Sequence, residues 1–298
     1  MSSWTLTSMD TLAPGRRIVR RLAGGTAHEV FLVEAGGPDR RAVAKLPRPH
    51  LVEDPHCLLR LQHEGRALER LAHPALPRVL GTVLLGPHPH LLLEHVPGPT
   101  LQDAIVTETQ LGPKRVASLG AALARALDHI AAAGWVHLDV KPANIVLNAR
   151  PRLIDFELAR PIAEAARTTE PGGTWAYMPP EQRRAGLAGR PAALGPPADV
   201  FALAASLHEA LAGRQLAHPS VPQAATLPGA VGELIGHALA PSPDDRPTAA
   251  ELSEALAERG DRPALAQAAG TGMAAATMVP PPGGLSTRSS PFIAATRS

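Results

Sequence analysis

The stretch VHLDVKPANIVL, residues 136–147, gathers an acid, a cation and an amide into one short segment. These side chains are Asp139, Lys141 and Asn144, and they follow a helical pattern and precede an apolar run. The stretch LIDFE comes shortly afterwards and adds Asp155. Phosphoryl transfer requires a carboxylate that accepts a hydroxyl proton, oxygen ligands for magnesium and a positive charge beside the phosphate. The two stretches together supply all of these groups.

A turn is the alternative interpretation of the first stretch. Asp139 and Asn144 both favour loops, and Pro142 fits a turn between them. The pattern D-x-K-P-x-N alone is compatible with chance, but the same pattern followed at this distance by D-F is specific. The order of the motifs therefore favours the catalytic interpretation.

On these residues the sequence resembles the protein-kinase family, and specifically the bacterial Hanks-type serine/threonine kinases, over about residues 16–258. HLDVKPAN is similar to the catalytic loop H-R-D-x-K-P-x-N, and IDFE is similar to D-F-G. The resemblance implies that Asp139 is the catalytic base and that Lys141 contacts the γ-phosphate of ATP. It also implies that Asn144 and Asp155 bind Mg²⁺.

Lys45 lies within an apolar run that predicts a strand, where an unpaired charge is costly. It resembles the kinase lysine that holds the α- and β-phosphates, and Glu64 stands where the family places its helix partner. Glu64 alone is also compatible with an ordinary exposed helix carboxylate. The presence of Lys45 favours the ion pair.

Two further segments resemble the parts of a kinase that surround ATP. Residues 22–30 resemble the glycine-rich loop with only its middle glycine kept, although a plain hairpin turn would use the same glycine pair. Residues 93–98 resemble the hinge, where backbone groups hold adenine, and a buried edge strand is compatible with this. The resemblance assigns to nucleotide binding Leu22, Gly24, Gly25, Val30, Ala44, Lys45, Glu64, Leu93, Glu94 and Val96.

The stretch GTWAYMPPEQ, residues 173–182, resembles the end of the kinase activation segment. Small-molecule kinases of the same fold generally lack it. The resemblance also implies that Glu181 pairs with Arg246 and that Asp199 holds the backbone of the catalytic loop. Each of these three charges is also compatible with a solvated position, but all three occur in the expected order.

Hydrophobic periodicity predicts strands first and helices later. Strand patterns cover residues 16–22, 30–34, 42–46, 79–85 and 90–94. Helical spacing appears at Leu58, Leu61, Leu68 and Leu71, and again after Gly98 in three segments that begin at Val116, Val200 and Val231. Thr248 and Glu251 form a capping-box pattern that opens a last helix. We therefore expect an α+β, bilobal, protein-kinase-like fold, with a small antiparallel sheet and one helix in the N-lobe and a larger, mainly α-helical C-lobe.

The expected boundaries place the N-lobe at residues 16–95 and the C-lobe at 96–258. Residues 1–15 are expected to form a flexible extension. Residues 259–298 are rich in Ala, Pro, Gly and Ser and are expected to be a disordered tail.

Composition excludes several other classes of protein. The 298 residues carry 29 Lys+Arg against 27 Asp+Glu, so the basic excess typical of a nucleic-acid binder is absent. Cys57 is the single cysteine, which excludes an intrachain disulfide and a cysteine-rich zinc site. The sequence shows neither a signal-peptide pattern nor the run of about 18 apolar residues that a membrane helix needs. We expect a cytoplasmic protein that acts in signal transduction.

Four features depart from the family pattern. Leu138 replaces the arginine of H-R-D, and Glu157 replaces the glycine of D-F-G. Ala23 and His28 stand at the outer glycine positions of the glycine-rich loop at residues 22–30, the phosphate loop of the family. Residues 218–228 form a short, proline-bounded segment where the family usually has a docking helix.

Leu138 offers no guanidinium to a phosphate on the activation loop. Thr168 and Thr169 are the expected sites of self-phosphorylation, and Arg160 or Arg167 is the alternative partner for such a phosphate. The sequence therefore predicts an activity that is largely independent of phosphorylation at these two threonines.

The resemblance implies an active serine/threonine protein kinase that uses ATP and Mg²⁺ on protein substrates. The first alternative is a pseudokinase that binds nucleotide or acts as a scaffold, which Glu157, Ala23 and His28 favour. A small-molecule kinase of the same fold is the second and weaker alternative. The retained set of catalytic side chains argues against the pseudokinase, because a degenerate site has no physical need to keep all of them.

Overall fold

The computed structural model describes residues 6–37, 40–169, 172–188, 191, 193–216 and 227–260. Two expectations therefore lie mostly outside the described residues. These are the disordered tail at 259–298, of which only Arg259 and Gly260 are described, and the proline-bounded segment at 218–228.

A six-stranded antiparallel sheet forms the N-terminal lobe. Its strands are β1 (Thr11–Ala13), β2 (Arg16–Gly24), β3 (His28–Ala35), β4 (Arg41–Pro47), β5 (Val79–Val83) and β6 (His90–Glu94). They lie in the order β1-β2-β3-β4-β6-β5. Alternate residues of a strand point to opposite faces, and the register pairs Val30 with Lys45 and Phe31 with Ala44. One face carries Phe31 and Ala44 into a buried cluster, and the other face carries Lys45.

Helix α1 (Pro55–Leu71) connects β4 to β5. Asp54 caps it by accepting hydrogen bonds from the backbone N–H groups of His56 and Cys57. Its apolar face buries Leu61, Leu68 and Leu71. The same face presents Glu64, which is 1% exposed, to strand β4.

The C-terminal lobe is mainly helical. Its helices are α2 (Leu101–Glu108), α3 (Pro113–Ala132), α4 (Ile162–Ala165), α5 (Pro180–Ala188), α6 (Pro196–Ala212), α7 (Gly229–Ala238) and α8 (Ala249–Ala257). Short strands β7 (Trp135–Val136) and β10 (Arg160–Pro161) pair with each other, as do β8 (Ile145–Val146) and β9 (Arg152–Leu153). Helix α6 lies at the centre, because every residue from Ala198 to Ala210 is buried.

Local signals explain where these helices begin and end. Helix α6 ends at Gly213, whose φ of 69° is left-handed and whose N–H donates to the carbonyl of Glu209. Helix α8 begins with the predicted capping box between Thr248 and Glu251. The α+β, bilobal architecture predicted from the sequence is confirmed. None of the helices in the described ranges combines the length and apolar content that a membrane span requires.

The prediction that residues 1–15 form a flexible extension is wrong for residues 11–13. Residues 11–13 form β1 instead of a flexible extension, and they pair antiparallel with β2. The physical reason is Leu12, which is 4% exposed and packs in the same cluster as Ile18. Gly15, with a φ of 71°, makes the tight turn that returns the chain to β2.

Candidate active site

A cleft of about 660 Å³ lies between the sheet and the helical lobe. Most of the residues predicted to bind nucleotide line it: Leu22, Gly24, Gly25, Val30, Lys45, Glu64, Leu93, Glu94 and Val96. The predicted metal ligands Asn144 and Asp155 line it too, with Lys141. The sequence therefore brings together side chains from both lobes at one site.

Ala44 is the exception and corrects the prediction. It is fully buried on the opposite face of the sheet, in the cluster that contains Phe31. Val43 lines the cleft in its place. The reason is the alternation of strand β4, because Val43 shares the face of Lys45 and Ala44 does not.

Lys45 is the centre of a buried charge cluster. Its Nζ lies 2.8 Å from Glu64 Oε2, 2.9 Å from Asp155 Oδ1 and 2.9 Å from Glu157 Oε2. The second oxygen of Glu64 accepts a hydrogen bond from the backbone N–H of Phe156 at 3.2 Å. Glu64 therefore joins helix α1 to both strand β4 and the segment that carries Asp155.

Burial and charge act against each other in this cluster. Burial alone would lower the pKa of Lys45, but Glu64, Asp155 and Glu157 together raise it well above its ordinary value. Burial raises the pKa of Glu64 despite the opposing charge of Lys45. Burial would also raise the pKa of Glu157, yet the hydrogen bond from His28 and the charge of Lys45 hold it far below its ordinary value. The ammonium is thus strongly held in its charged form.

The side chains of the catalytic loop converge on Asp139. Lys141 Nζ donates to Asp139 Oδ2 at 2.6 Å, and the hydroxyl of Thr174 donates to Oδ1 at 2.9 Å. Lys141 also donates to the Thr174 oxygen at 2.9 Å. The amide nitrogen of Asn144 donates to the Asp139 carbonyl and to Oδ2, at 2.9 and 3.2 Å. Both oxygens of Asp139 therefore accept hydrogen bonds from groups that fix the carboxylate.

Asp199 holds the backbone of this loop, as the resemblance implied. Its two carboxylate oxygens accept hydrogen bonds from the N–H groups of His137 and Leu138, each at 2.7 Å. Burial raises the pKa of Asp199 above its ordinary value. Leu138 has a φ of 66°, which is strained for a branched side chain, and Gln182 also donates to its carbonyl oxygen. The loop conformation is thus imposed by its buried surroundings.

Glu181 and Arg246 form the predicted ion pair. Two guanidinium nitrogens of Arg246 donate to the two oxygens of Glu181, at 2.7 and 2.9 Å. The Arg246 side chain is fully buried and lies over the ring of Phe201. The pair fastens the end of the activation segment to the buried helix α6.

Leu138 lies in an apolar cluster where the family has an arginine. Its neighbours in this cluster are Val136, Ala165, Leu194 and Ala198, with Leu158 and Ile162 packed against them. Arg160 lies nearby, and its Nη1 donates to the hydroxyl of Thr168 at 3.3 Å. The activation segment therefore packs on an apolar surface, and one cation stands beside Thr168.

The hinge residue Glu94 turns its side chain toward Arg152. The guanidinium of Arg152 donates to both Glu94 oxygens, at 3.2 and 2.9 Å, and Arg78 Nε donates to one of them at 3.3 Å. The hydrogen bond from Arg152 is the main cause that lowers the pKa of Glu94 to about 2. This pairing fixes the hinge between β6 and the C-terminal lobe.

Sequence reasoning missed several contacts at the site. Thr174 was part of the quoted G-T motif, but its hydrogen bond to Asp139 was not predicted. No sequence pattern marks Arg152 as a site residue, because its partner Glu94 is 58 residues away in the chain. Val43 was detectable, because it precedes Lys45 by two positions on the same strand face.

Comparisons with known proteins agree with this geometry. A family model described as Protein kinase domain matches residues 19–256. The probable serine/threonine-protein kinase PkwA of Thermomonospora curvata is 34% identical over 259 residues, which cover 80% of this chain and 34% of PkwA. The serine/threonine-protein kinase PknB of Mycobacterium tuberculosis is 34% identical over 202 residues, which cover 64% of this chain and 31% of PknB.

A solved structure is also similar. The crystal structure of the Mycobacterium tuberculosis PknI kinase domain matches with a TM-score of 0.62 and 26% identity, covering 86% of this chain and 100% of that domain. The present chain spans about a third of the length of PkwA and PknB. By its family match, its relatives and its arrangement of side chains, the chain belongs to the protein kinase family.

Proposed function

We propose that this chain is a serine/threonine protein kinase, which transfers the γ-phosphate of ATP to Ser and Thr hydroxyls of protein substrates. The observation that supports this proposal most strongly is the environment of Asp139, whose oxygens accept hydrogen bonds from Lys141 and from a threonine hydroxyl. The kinase domain of this proposal covers residues 16–258, with the lobes meeting near residue 95.

Asp139 is the proposed base. The Thr174 hydroxyl donates to its Oδ1 at 2.9 Å, and this contact supports a role for that oxygen as the acceptor of a substrate hydroxyl hydrogen. A substrate hydroxyl in a similar position would attack the γ-phosphorus, release ADP and give its proton to Asp139. Lys141 Nζ, 2.6 Å from the same carboxylate, would neutralise negative charge on the transferred group.

Lys45 and the cleft walls are proposed to bind the nucleotide. The ammonium of Lys45 is proposed to hold the α- and β-phosphates, because Glu64 and Asp155 keep it charged and directed into the cleft. Leu93 and Val96 offer apolar surface and backbone groups to adenine. The phosphate loop around Gly24 and Gly25 would cover the phosphates.

Asp155 and Asn144 are the residues that fit a Mg²⁺ ion. Asp155 is 38% exposed and uses Oδ1 for Lys45, and Asn144 uses its amide nitrogen for Asp139. Asp155 Oδ2 and the Asn144 amide oxygen are therefore the atoms that remain for a hard cation, which prefers oxygen ligands. When bound, the ion would supply charge that neutralises the phosphates.

Protein substrates are favoured over small molecules by the end of the activation segment. The pair of Glu181 and Arg246 and the hydrogen bonds of Gln182 fix this segment beside Asp139. Lys141 is joined to it through Thr174. Such a platform can hold an extended peptide with its hydroxyl at the base. Thr168 and Thr169 lie in the same segment and are the proposed sites of self-phosphorylation.

A nucleotide-binding pseudokinase is the second candidate. Glu157 favours it, because a third carboxylate 2.9 Å from Lys45 competes with phosphate for the ammonium. The test is incubation of the purified full chain with γ-labelled ATP, Mg²⁺ and a generic protein substrate, followed by phospho-amino-acid analysis. Label on serine or threonine supports the kinase. Binding of ATP without any transfer, to the substrate or to the chain itself, contradicts it and supports the pseudokinase.

A further inference from the structure

His28 and Glu157, two departures from the family pattern, contact each other across the cleft. His28 is 4% exposed, and its Nδ1 lies 3.2 Å from Glu157 Oε2. The other ring nitrogen lies 3.2 Å from Cys57 Sγ on helix α1. The His28 imidazole, at the start of β3, therefore contacts both helix α1 and the segment that follows Asp155.

His28 also controls the phosphate loop through its backbone. The carbonyl oxygen of His28 accepts a hydrogen bond from the N–H of Gly25 at 2.9 Å, which closes the loop. The carbonyl oxygen of Gly25 accepts a further hydrogen bond from Arg48 Nε at 2.7 Å. Because this hydrogen bond joins the loop to His28, contacts that hold His28 in place also hold the loop in place.

Glu157 connects the same loop to the phosphate-binding lysine. Its Oε2 lies 2.9 Å from Lys45 Nζ and 3.2 Å from His28 Nδ1, so one oxygen is shared between them. Its Oε1 lies 3.4 Å from Arg60, whose side chain is 59% exposed. The buried partners of Glu157 are thus Lys45 and His28, and Arg60 adds only a solvated contact.

Neither substitution is favourable alone. A buried carboxylate beside the phosphate site would add repulsion, and a ring in place of a glycine would crowd the loop. Together they form a hydrogen-bonded pair, which glycine at either position cannot make.

We propose that His28 and Glu157 form a tether that positions the phosphate loop over the nucleotide and positions Lys45 beneath it. The proposal rests on the proposed binding of ATP in the cleft. Both side chains are positioning residues, because they act through the loop and through Lys45.

A loop that is ordered before the nucleotide arrives loses less conformational entropy on binding. The tether should therefore act on nucleotide affinity more than on the chemical step. Glu157 also repels phosphate, so the effect of changing Glu157 alone mixes two opposing contributions. A double-mutant cycle separates the coupling between the two side chains from this repulsion.

The experiment measures the Kd of the full chain for a fluorescent ADP analogue, together with KM for ATP and kcat. The variants are His28→Ala, Glu157→Ala and the double variant. We expect His28→Ala to raise Kd and KM about fivefold or more, with kcat changed less than about twofold. In the Glu157→Ala background, where His28 has no carboxylate to bind, His28→Ala should change Kd less than about twofold.

Two further variants test the mechanism. His28→Asn places an amide nitrogen near the position of Nδ1 and should recover part of the lost affinity. Arg60→Ala is the matched control, because it removes a cation from the same carboxylate without touching the loop, and it should change Kd less than about twofold.

Additive effects of His28→Ala and Glu157→Ala on Kd would overturn the tether, as would an unchanged Kd in His28→Ala. Failure of the proposed function is a different result, because it appears as absent phosphate transfer by a wild-type chain that still binds the analogue. The coupling measured in Kd does not depend on transfer, so the two failures are distinguishable.

Discussion

Lys45 Nζ lies 2.8 Å from Glu64 Oε2, and both side chains are buried. The pair fixes helix α1 against strand β4, and the second Glu64 oxygen ties the helix to Phe156. Protein kinases need this lysine–glutamate pair in place before phosphate transfer occurs. The N-terminal lobe of this structure contains that pair.

Replacing Lys45 with methionine should remove phosphate binding while keeping the apolar stem. We expect kcat/KM to fall about a hundredfold or more, because the positive charge beside the phosphates is lost. Circular dichroism should show a folded protein, since Glu64 can bind a proton when its partner is removed. Full activity of Lys45→Met would show that another group holds the phosphates.

The reversed pair, Lys45→Glu with Glu64→Lys, is the matched control for this variant. It keeps an ion pair in the same place, but it moves the cation from β4 to α1. The reversed variant should stay inactive, because the residue at position 45 must bind phosphate in addition to pairing with the residue at position 64. Recovery of activity would show that an ion pair at this place is sufficient and that Lys45 need not contact phosphate.

The order of elements and most of the site were predictable from the sequence. Strand and helix periodicity gave the two lobes, and the D-x-K-P-x-N and D-F patterns gave Asp139 and Asp155. Local signals such as the capping box at Thr248 marked a helix start correctly. These features depend on residues close together in the chain, where spacing carries the information.

Other features depend on contacts between distant segments. The contact between His28 and Glu157 joins residues 129 positions apart, and no spacing rule predicts it. The strand β1 depends on how Leu12 packs, which a short apolar run does not reveal. The assignment of Ala44 to the cleft was wrong, although the alternation of β4 was enough to choose Val43.

Loss of the buried pair between Arg246 and Glu181 should destabilise the C-terminal lobe. Arg246→Ala leaves the Glu181 carboxylate without its partner, so we expect the free energy of unfolding to fall by about 3–5 kcal/mol. Chemical denaturation measures this change. Arg115→Ala is a suitable comparison, because its ion pair with Glu108 is exposed and should contribute less than about 1 kcal/mol. Equal losses in the two variants would show that burial of Arg246 is unimportant.

The pairing of Glu94 predicts a pH-dependent contribution to stability. Arg152 lowers the pKa of Glu94 from 4.5 to about 2 in the folded protein. A lowered pKa means that the stabilisation is complete above 4.5 and is lost as the pH falls toward about 2. At neutral pH, Glu94→Gln should lower the free energy of unfolding by about 1–2 kcal/mol, after allowance for solvent screening.

Urea denaturation of wild type and Glu94→Gln across this pH range provides the measurement. The difference between the two proteins should shrink as the pH falls below 4.5. A difference that stays constant with pH would show that the charge of Glu94 does not stabilise the hinge.

Activity should depend little on phosphorylation of Thr168 and Thr169. The activation segment packs around Leu138 through apolar side chains, so its order does not require a captured phosphate. The variant Thr168→Ala/Thr169→Ala should keep its activity within about threefold of wild type, as should phosphatase-treated wild type. A drop of about tenfold or more, which equals about 1.4 kcal/mol in barrier height, would mean that a phosphate has a partner.

Arg160 is that partner if the drop occurs, because its guanidinium stands beside the Thr168 hydroxyl. The two single variants would then differ, with Thr168→Ala losing activity and Thr169→Ala keeping it.

Phosphate transfer by this chain should depend on Asp139 as the acceptor of the substrate proton. The most direct measurement compares wild type and Asp139→Asn in transfer of labelled phosphate to protein, with the Kd for ATP measured on the same samples. We expect Asp139→Asn to bind ATP within about threefold of wild type but to transfer phosphate about a hundredfold to ten-thousandfold more slowly. Equal transfer by the two proteins would contradict it.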